Sequence, residues 1–399
     1  MSYKANEILV LFHTLMLIFY GKKKQYIMKH IVIFRTSGSF IDFNTYNCQE
    51  LGLAKALVKK GYKLSLILGG PKEKHIVYDV ENKHIDIYYL TYSSIKQSIC
   101  VFHGWKKILN QLKPDVLQVH DLGMSMTYMV SKWARKRNIR CILIQGTYNT
   151  THKPGLKQLE CLFNRTFGRA VIKNVNAIGA KTKAAAAYVQ KYYNKDVSIT
   201  PVGLDESKFV GCSTQSDFRK RYGLENQVIL LYVGVMEQRR NPLFLLDLMK
   251  EMPGNFSLVL VGEGPLFAQV KDKVKKDSIH NVVILGKRKQ EELPAIYAAS
   301  DLFLLASNYE IFGMVIMESM YFGTPVISTS TAGAETLIDE STGKVIDGLD
   351  VNEWKKAILQ IAGDQNLLSA MKKRCQFYIA NNLIWNKASD NFEKLYFEW

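Results

Sequence analysis

Short β-branched runs alternate with amphipathic stretches along most of the chain. From Met28, HIVIF reads as a strand. Gln49–Tyr62 (QELGLAKALVKKGY) reads as a helix, because Leu51, Ala54, Leu57 and Val58 recur at helical spacing before Gly61 closes it. KLSLIL, DVLQVH (Asp115–His120), CILIQG and VNAIGA (Val175–Ala180) continue the strands, with basic helical stretches such as VSKWARKRNIR between them. Strands that alternate with helices form βαβ units and hence a parallel sheet. Near residue 200 the Pro- and Gly-marked turn ITPVGLDESKF interrupts this order. The alternation then restarts with VILLYVGV, NPLFLLDLMKEM, FSLVLVGEGP, NVVILG, DLFLLAS and TPVISTS.

The pattern predicts an α/β protein of two doubly wound, Rossmann-like domains facing a central cleft, residues 28–204 and 205–380. The aromatic-rich helix within 381–399 is expected to cross back and pack on the first domain. Ligands of such folds bind at the carboxyl ends of the strands, so chemistry is expected there. Residues 1–27 stand apart. The apolar run Ile8–Tyr20 is shorter than the roughly 20 residues a spanning helix needs, and its charges (GKKK) follow it, the reverse of a signal peptide. Two readings stand for this segment: a peripheral membrane anchor, or an extension from an upstream start site.

Charge changes the picture. The formal net charge is +17, but residues 1–200 carry 31 Lys and Arg against 11 Asp and Glu, while 201–399 carry 22 against 25. A first half this basic suits an acidic lipid surface or a phosphorylated substrate. Nucleic acid is not expected, because zinc-finger spacing and aromatic stacking motifs are absent. The six cysteines form no C-x-x-C pair, which fits reduced thiols in a reducing compartment.

Candidate chemistry concentrates in the second half. In VGVMEQRRN (Val233–Asn241) a strand ends at Gly234, and Arg239 and Arg240 stand just before a helix opening at Pro242. A diphosphate suits such a helix N-terminus, although a solvated arginine pair would look the same. LVGEGPL (Leu260–Leu266) is a second strand-to-glycine turn, where Gly264 lets backbone approach a ligand. Gly286 and Lys287, at a third strand end, can offer backbone groups to a nucleobase edge. After the strand DLFLLAS, the loop NYEIFG carries Glu310, and a helix from about Met314 to Tyr321 carries Glu318. A carboxylate only accepts hydrogen bonds, which suits Glu310 to sugar hydroxyls and Glu318 to a ribose diol. A capping glutamate and a solvent-facing one are the plainer alternatives.

Glu310 and Glu318, with FG two residues after the first acid and GTPVI after the second, resemble the E-x7-E signature of retaining GT-B glycosyltransferases of group 1 or family 4. KPDVLQVHD, PVGLDESKF and LVGEGPL extend the resemblance from Met28 to about residue 345. The resemblance implies that Glu310 holds the donor sugar, Glu318 the ribose, and the backbone of Phe312, Gly313 and Met314 the sugar and distal phosphate. It implies that Arg240 contacts the diphosphate where the family has Lys, and that His120 meets the sugar near the reacting centre. Two departures stand out. Val235 replaces an expected Arg, which Arg239 would have to supply, and DFNTYNCQE (Asp42–Glu50) replaces a Gly-Gly loop.

The expected function is therefore retaining transfer of a sugar from a nucleotide-diphosphate donor to a glycan or lipid-linked acceptor, on the cytoplasmic face of a membrane. The nucleotide sugar is a substrate, so no cofactor is expected. No D-x-D occurs in the chain, so a bridging metal is not required. An epimerase or phosphorylase on the same fold, or a non-catalytic nucleotide-sugar binder, are the alternatives.

Overall fold

The computed structural model describes residues 28–398 except 42, 44–47, 97, 149–157, 159–160 and 213–216. The apolar and basic segment 1–27, with both of its readings, lies outside the described residues. The first sheet contains β1 (His30–Phe34), β2 (Lys63–Gly69), β3 (Lys74–Val80) and β4 (Lys83–Leu90). After a separate hairpin of β5 (Tyr92–Lys96) and β6 (Ile99–Phe102), it continues with β7 (Val116–His120), β8 (Arg140–Gln145), β9 (Ala177–Ala180) and β10 (Ser198–Ile199). Its order is β10-β9-β8-β7-β1-β2-β4-β3. The central strand β1 is buried at every position, which is why it reads as an uninterrupted apolar run.

The sheet departs from the expected all-parallel order at one edge, where β3 runs antiparallel to β4. Neither β3 nor β5 shows as an apolar run, because these strands leave much of their length in solvent and interleave polar residues, while β6 (ICVF) is apolar but only four residues long.

The second sheet is parallel throughout. It contains β11 (Val228–Val233), β12 (Phe256–Val261), β13 (Val282–Gly286), β14 (Leu302–Leu305), β15 (Val326–Thr329) and β16 (Gly343–Ile346), in the order β13-β12-β11-β14-β15-β16.

The chain crosses between the domains near Leu204 and again near Ile384, and the two crossings pair as a parallel bridge. Trp385 is packed against Gly52 and Gly203; a Cβ at these positions would lie 2.0 Å and 2.6 Å from the indole. The helix Trp385–Phe397 then lies across the helix Gln49–Lys59 and strands β8 and β9. Lys60 holds it through Asp390 and Glu393, and the Tyr62 hydroxyl donates to Glu393 at 2.5 Å. The C-terminal helix thus returns to the first domain. Among the described residues no helix is long and apolar enough to cross a membrane.

Candidate active site

Each sheet has a point where its winding reverses, and such points open a crevice at the carboxyl ends of the strands. In the second sheet that point lies between β11 and β14. The loop after β11 carries Gly234 to Asn241, and the loop after β14 carries Ala306 to Gly313. The Asn241 side-chain amide ties them together, donating to Ala306 O at 2.7 Å and to Asn308 Oδ1 at 2.8 Å. Asn308 N donates in turn to Arg239 O at 2.9 Å. Gly234 leaves room for an arginine, since a Cβ there would lie 2.6 Å from Arg240 Nη1.

Both arginines converge on one carboxylate. Glu310, buried at 8% exposure, has Oε1 3.3 Å from Arg239 Nη1 and 3.4 Å from Arg240 Nη2, and it accepts from Ser307 Oγ at 3.2 Å. Arg239 also pairs with Glu237 at 2.7 Å and donates to Tyr309 O. Arg240 is the better enclosed of the two, with Nε a long 3.7 Å from Glu237. Its Nη1 is buried without a hydrogen-bond partner among the described residues. A buried unmet donor costs about 1–3 kcal/mol, which an incoming anion would relieve.

Beyond Glu310 the chain passes buried Phe312 and turns at Gly313, whose φ of +78° favours glycine. The helix Met314–Tyr321 starts there with no side-chain cap, so its first N–H groups and positive dipole end are open to an acceptor. Glu318, on the same helix, is buried and accepts from the Tyr297 hydroxyl at 3.2 Å. Burial pushes its carboxyl up to about 7, although the Tyr297 hydrogen bond opposes the shift.

Gly264, Gly286 and Lys287 lie at the neighbouring ends of β12 and β13, where they serve one another and the β11 loop. Gly264 backs onto Met236 O, Gly286 O accepts from Gly262 N at 2.8 Å, and Lys287 N donates to Glu263 Oε1 at 3.4 Å. Gly286 O and Lys287 N are thus engaged within the protein. Val235 is half exposed.

The first sheet reverses between β1 and β7, which places Arg35 and His120 together. Glu50, in the first turn of the helix Gln49–Lys59, is buried against them, 3.3 Å from Arg35 Nη1 and accepting from the Cys48 thiol at 3.3 Å. Burial alone would raise the Glu50 carboxyl, but Arg35, His120 and Lys181 hold it down to about 2. Lys181 reaches the same cluster, donating to Gln49 Oε1 at 2.8 Å. Burial pushes the His120 ring down to about 4; Glu50 and Asp121 oppose this, while Lys181 and Arg35 reinforce it. The imidazole is therefore neutral at pH 7. Asp121 adopts φ +52° and accepts from Gly146 N at 2.8 Å and Thr147 N at 2.9 Å, which fixes the loop after β8.

That loop brings the two crevices together. Tyr148 stacks on Tyr309 across the cleft, with centroids 4.7 Å apart, and its hydroxyl lies 3.5 Å from Ala332 N. Sequence reading missed Arg35, Glu50, Lys181 and Tyr148. Glu50 reads as an ordinary acid of a helix first turn and Lys181 as one lysine among many; only the unusual Asp42–Glu50 loop marked the region.

Residues 214–376 match the family described as glycosyl transferases group 1, and residues 51–208 match glycosyltransferase family 4. The chain is 25% identical over 244 residues to the D-inositol 3-phosphate glycosyltransferase of Corynebacterium kroppenstedtii, covering 57% of this chain and 54% of that protein. It is 28% identical over 212 residues to the UDP-Gal:alpha-D-GlcNAc-diphosphoundecaprenol alpha-1,3-galactosyltransferase of Escherichia coli, covering 51% and 54%. The chain thus spans about half the length of the curated relatives it matches. In fold it resembles the sucrose-phosphate synthase of Thermosynechococcus elongatus, with a TM-score of 0.73, 18% identity, and 92% and 98% of the two chains covered.

Proposed function

The chain belongs to the glycosyltransferases of group 1 and family 4, on the GT-B fold, and from that premise we propose that it moves a hexosyl group from a nucleoside-diphosphate sugar to a glycan or lipid-linked acceptor with retention of configuration. The observation that carries the reading is the convergence of Arg239 and Arg240 on Glu310, with Arg240 Nη1 buried and unmet.

In this reading the donor diphosphate takes up the guanidinium of Arg240, assisted by Arg239 in place of the arginine that Val235 lacks. Glu310, released from the arginines, accepts from the sugar hydroxyls. The N–H groups around Phe312, Gly313 and Met314 hold the sugar and distal phosphate, and Glu318 accepts from the ribose. Negative charge grows on the phosphates as the anomeric bond breaks. Placing fixed cations and helix N–H groups there lowers the barrier by several kcal/mol, at roughly 2.7–4 kcal/mol for one good donor. With no D-x-D in the sequence, this role falls to the guanidinium groups rather than a bridging metal. Neutral His120 meets the sugar from the first domain. The acceptor hydroxyl enters on the face the phosphate leaves, and the leaving phosphate takes its proton.

The Escherichia coli relative is named for a lipid-diphosphate acceptor, which suits the basic first half of this chain. The exposed hairpin β5–β6 bears Ile95, Lys96, Ile99 and Val101, and the helix Trp105–Leu112 that follows it bears the exposed Lys106 and Lys107, a combination fitted to the anionic inner face of a membrane. Arg240→Ala is expected to lower turnover at least 100-fold and Glu310→Gln to do likewise while nucleotide binding persists. Both are read by release of nucleoside diphosphate, and full turnover in both variants would sink the reading.

A further inference from the structure

A buried hydrogen-bond chain runs from the C-terminal helix to His120. Gln118 and His120, two residues apart on β7, point to the same side of the sheet. Gln118 and Tyr396 are both fully enclosed. The Tyr396 hydroxyl donates to Gln118 Oε1, and Gln118 Nε2 lies 3.0 Å from His120 Nε2. An amide nitrogen carries two hydrogens and accepts nothing, so the imidazole nitrogen facing it must be the acceptor. Turning the amide over would leave the phenol hydrogen buried without an acceptor, because Tyr396 has no other hydrogen-bond partner among the described residues.

We propose that Tyr396 and Gln118 are positioning residues that hold His120 as the Nδ1–H tautomer, so that a helix reached only after the second domain sets the hydrogen-bonding polarity of the first domain's active-site histidine. Nδ1–H is then the ring's donor, and Nε2 is occupied. The catalytic consequence rests on the reading that His120 meets the donor sugar; the tautomer itself does not. The charged groups around the ring are Arg35 after β1, Glu50 on the helix Gln49–Lys59, Asp121 after β7 and Lys181 after β9.

The test uses the full chain with 15N-labelled histidine, and reads the His120 tautomer from long-range proton–nitrogen correlations, with the signal assigned by its loss in His120→Asn. The wild type is expected to show Nδ1–H. Gln118→Glu, whose carboxylate can only accept, is expected to switch the ring to Nε2–H and raise its titration midpoint. Tyr396→Phe frees the amide to turn and is expected to give a mixture of tautomers with the melting temperature little changed. In the transfer assay Gln118→Glu is expected to lower kcat about tenfold, the worth of one hydrogen bond, with binding of the nucleoside diphosphate that the wild type releases unchanged. An Nε2–H wild type, or Nδ1–H persisting in both variants, overturns the proposal. A wild type without transferase activity but with the expected tautomers would overturn the functional reading alone.

Discussion

Glu318 is a carboxyl that burial has brought to the edge of neutrality, at about 7. Ribose hydroxyls donate to its charged form, so donor binding expels a proton, and affinity should rise with pH until the group is ionised. Between pH 6 and pH 8 the affinity for a bound nucleotide sugar is expected to rise about tenfold, as measured by calorimetry. Glu318→Gln should flatten that dependence, and an equally steep profile in the variant would assign it to another group. Gly234→Ala tests the room left for Arg240: the new methyl would lie 2.6 Å from Nη1, and donor affinity should fall while the melting temperature barely moves. Glu310 and Glu318 could be singled out in the sequence, because a loop followed by one helix fixes their separation. Glu50 and Lys181 were not. They meet His120 through contacts between residues far apart in the chain, which no local spacing records.

At the scale of elements, what could be read depended on burial. Strands enclosed on both faces, such as β1 and β11, show as apolar runs, and each ends in a loop that belongs to the site. The edge strand β3 and the hairpin strand β5 escaped because water on one side admits polar residues, and β6, although apolar, is only four residues long. The loop after β8 escaped for a different reason: its position depends on two backbone N–H groups held by Asp121. Through that loop the Tyr148–Tyr309 stack links the domains beside Glu310. A stacked pair contributes about 0.5–1.5 kcal/mol, so Tyr148→Ala should speed hydrogen exchange of the 309–314 segment several-fold. Unchanged exchange would mean that the stack does not hold the cleft.

At the scale of the molecule, two domains wound alike are joined by paired crossings, with Trp385 wedged between Gly52 and Gly203. Trp385→Ala leaves a cavity at that junction and is expected to cost about 3–5 kcal/mol, measured by denaturant unfolding. The charge asymmetry of the two halves was plain in the sequence, while the hairpin that gathers apolar and basic side chains was not. The whole chain is expected to sediment with anionic liposomes at low salt and to be released as salt rises. Equal binding to neutral liposomes would remove the membrane from the account. The central claim is transfer with retention. It is tested most directly by proton NMR of the protein with a panel of α-linked UDP-, GDP- and ADP-sugars, alone and then with membrane lipid extract. The account expects one donor to lose its anomeric signal as free nucleoside diphosphate appears and, with lipid present, a new α-anomeric signal to grow. A β-anomeric product would contradict retention, and a donor that binds but stays intact under both conditions would contradict transfer.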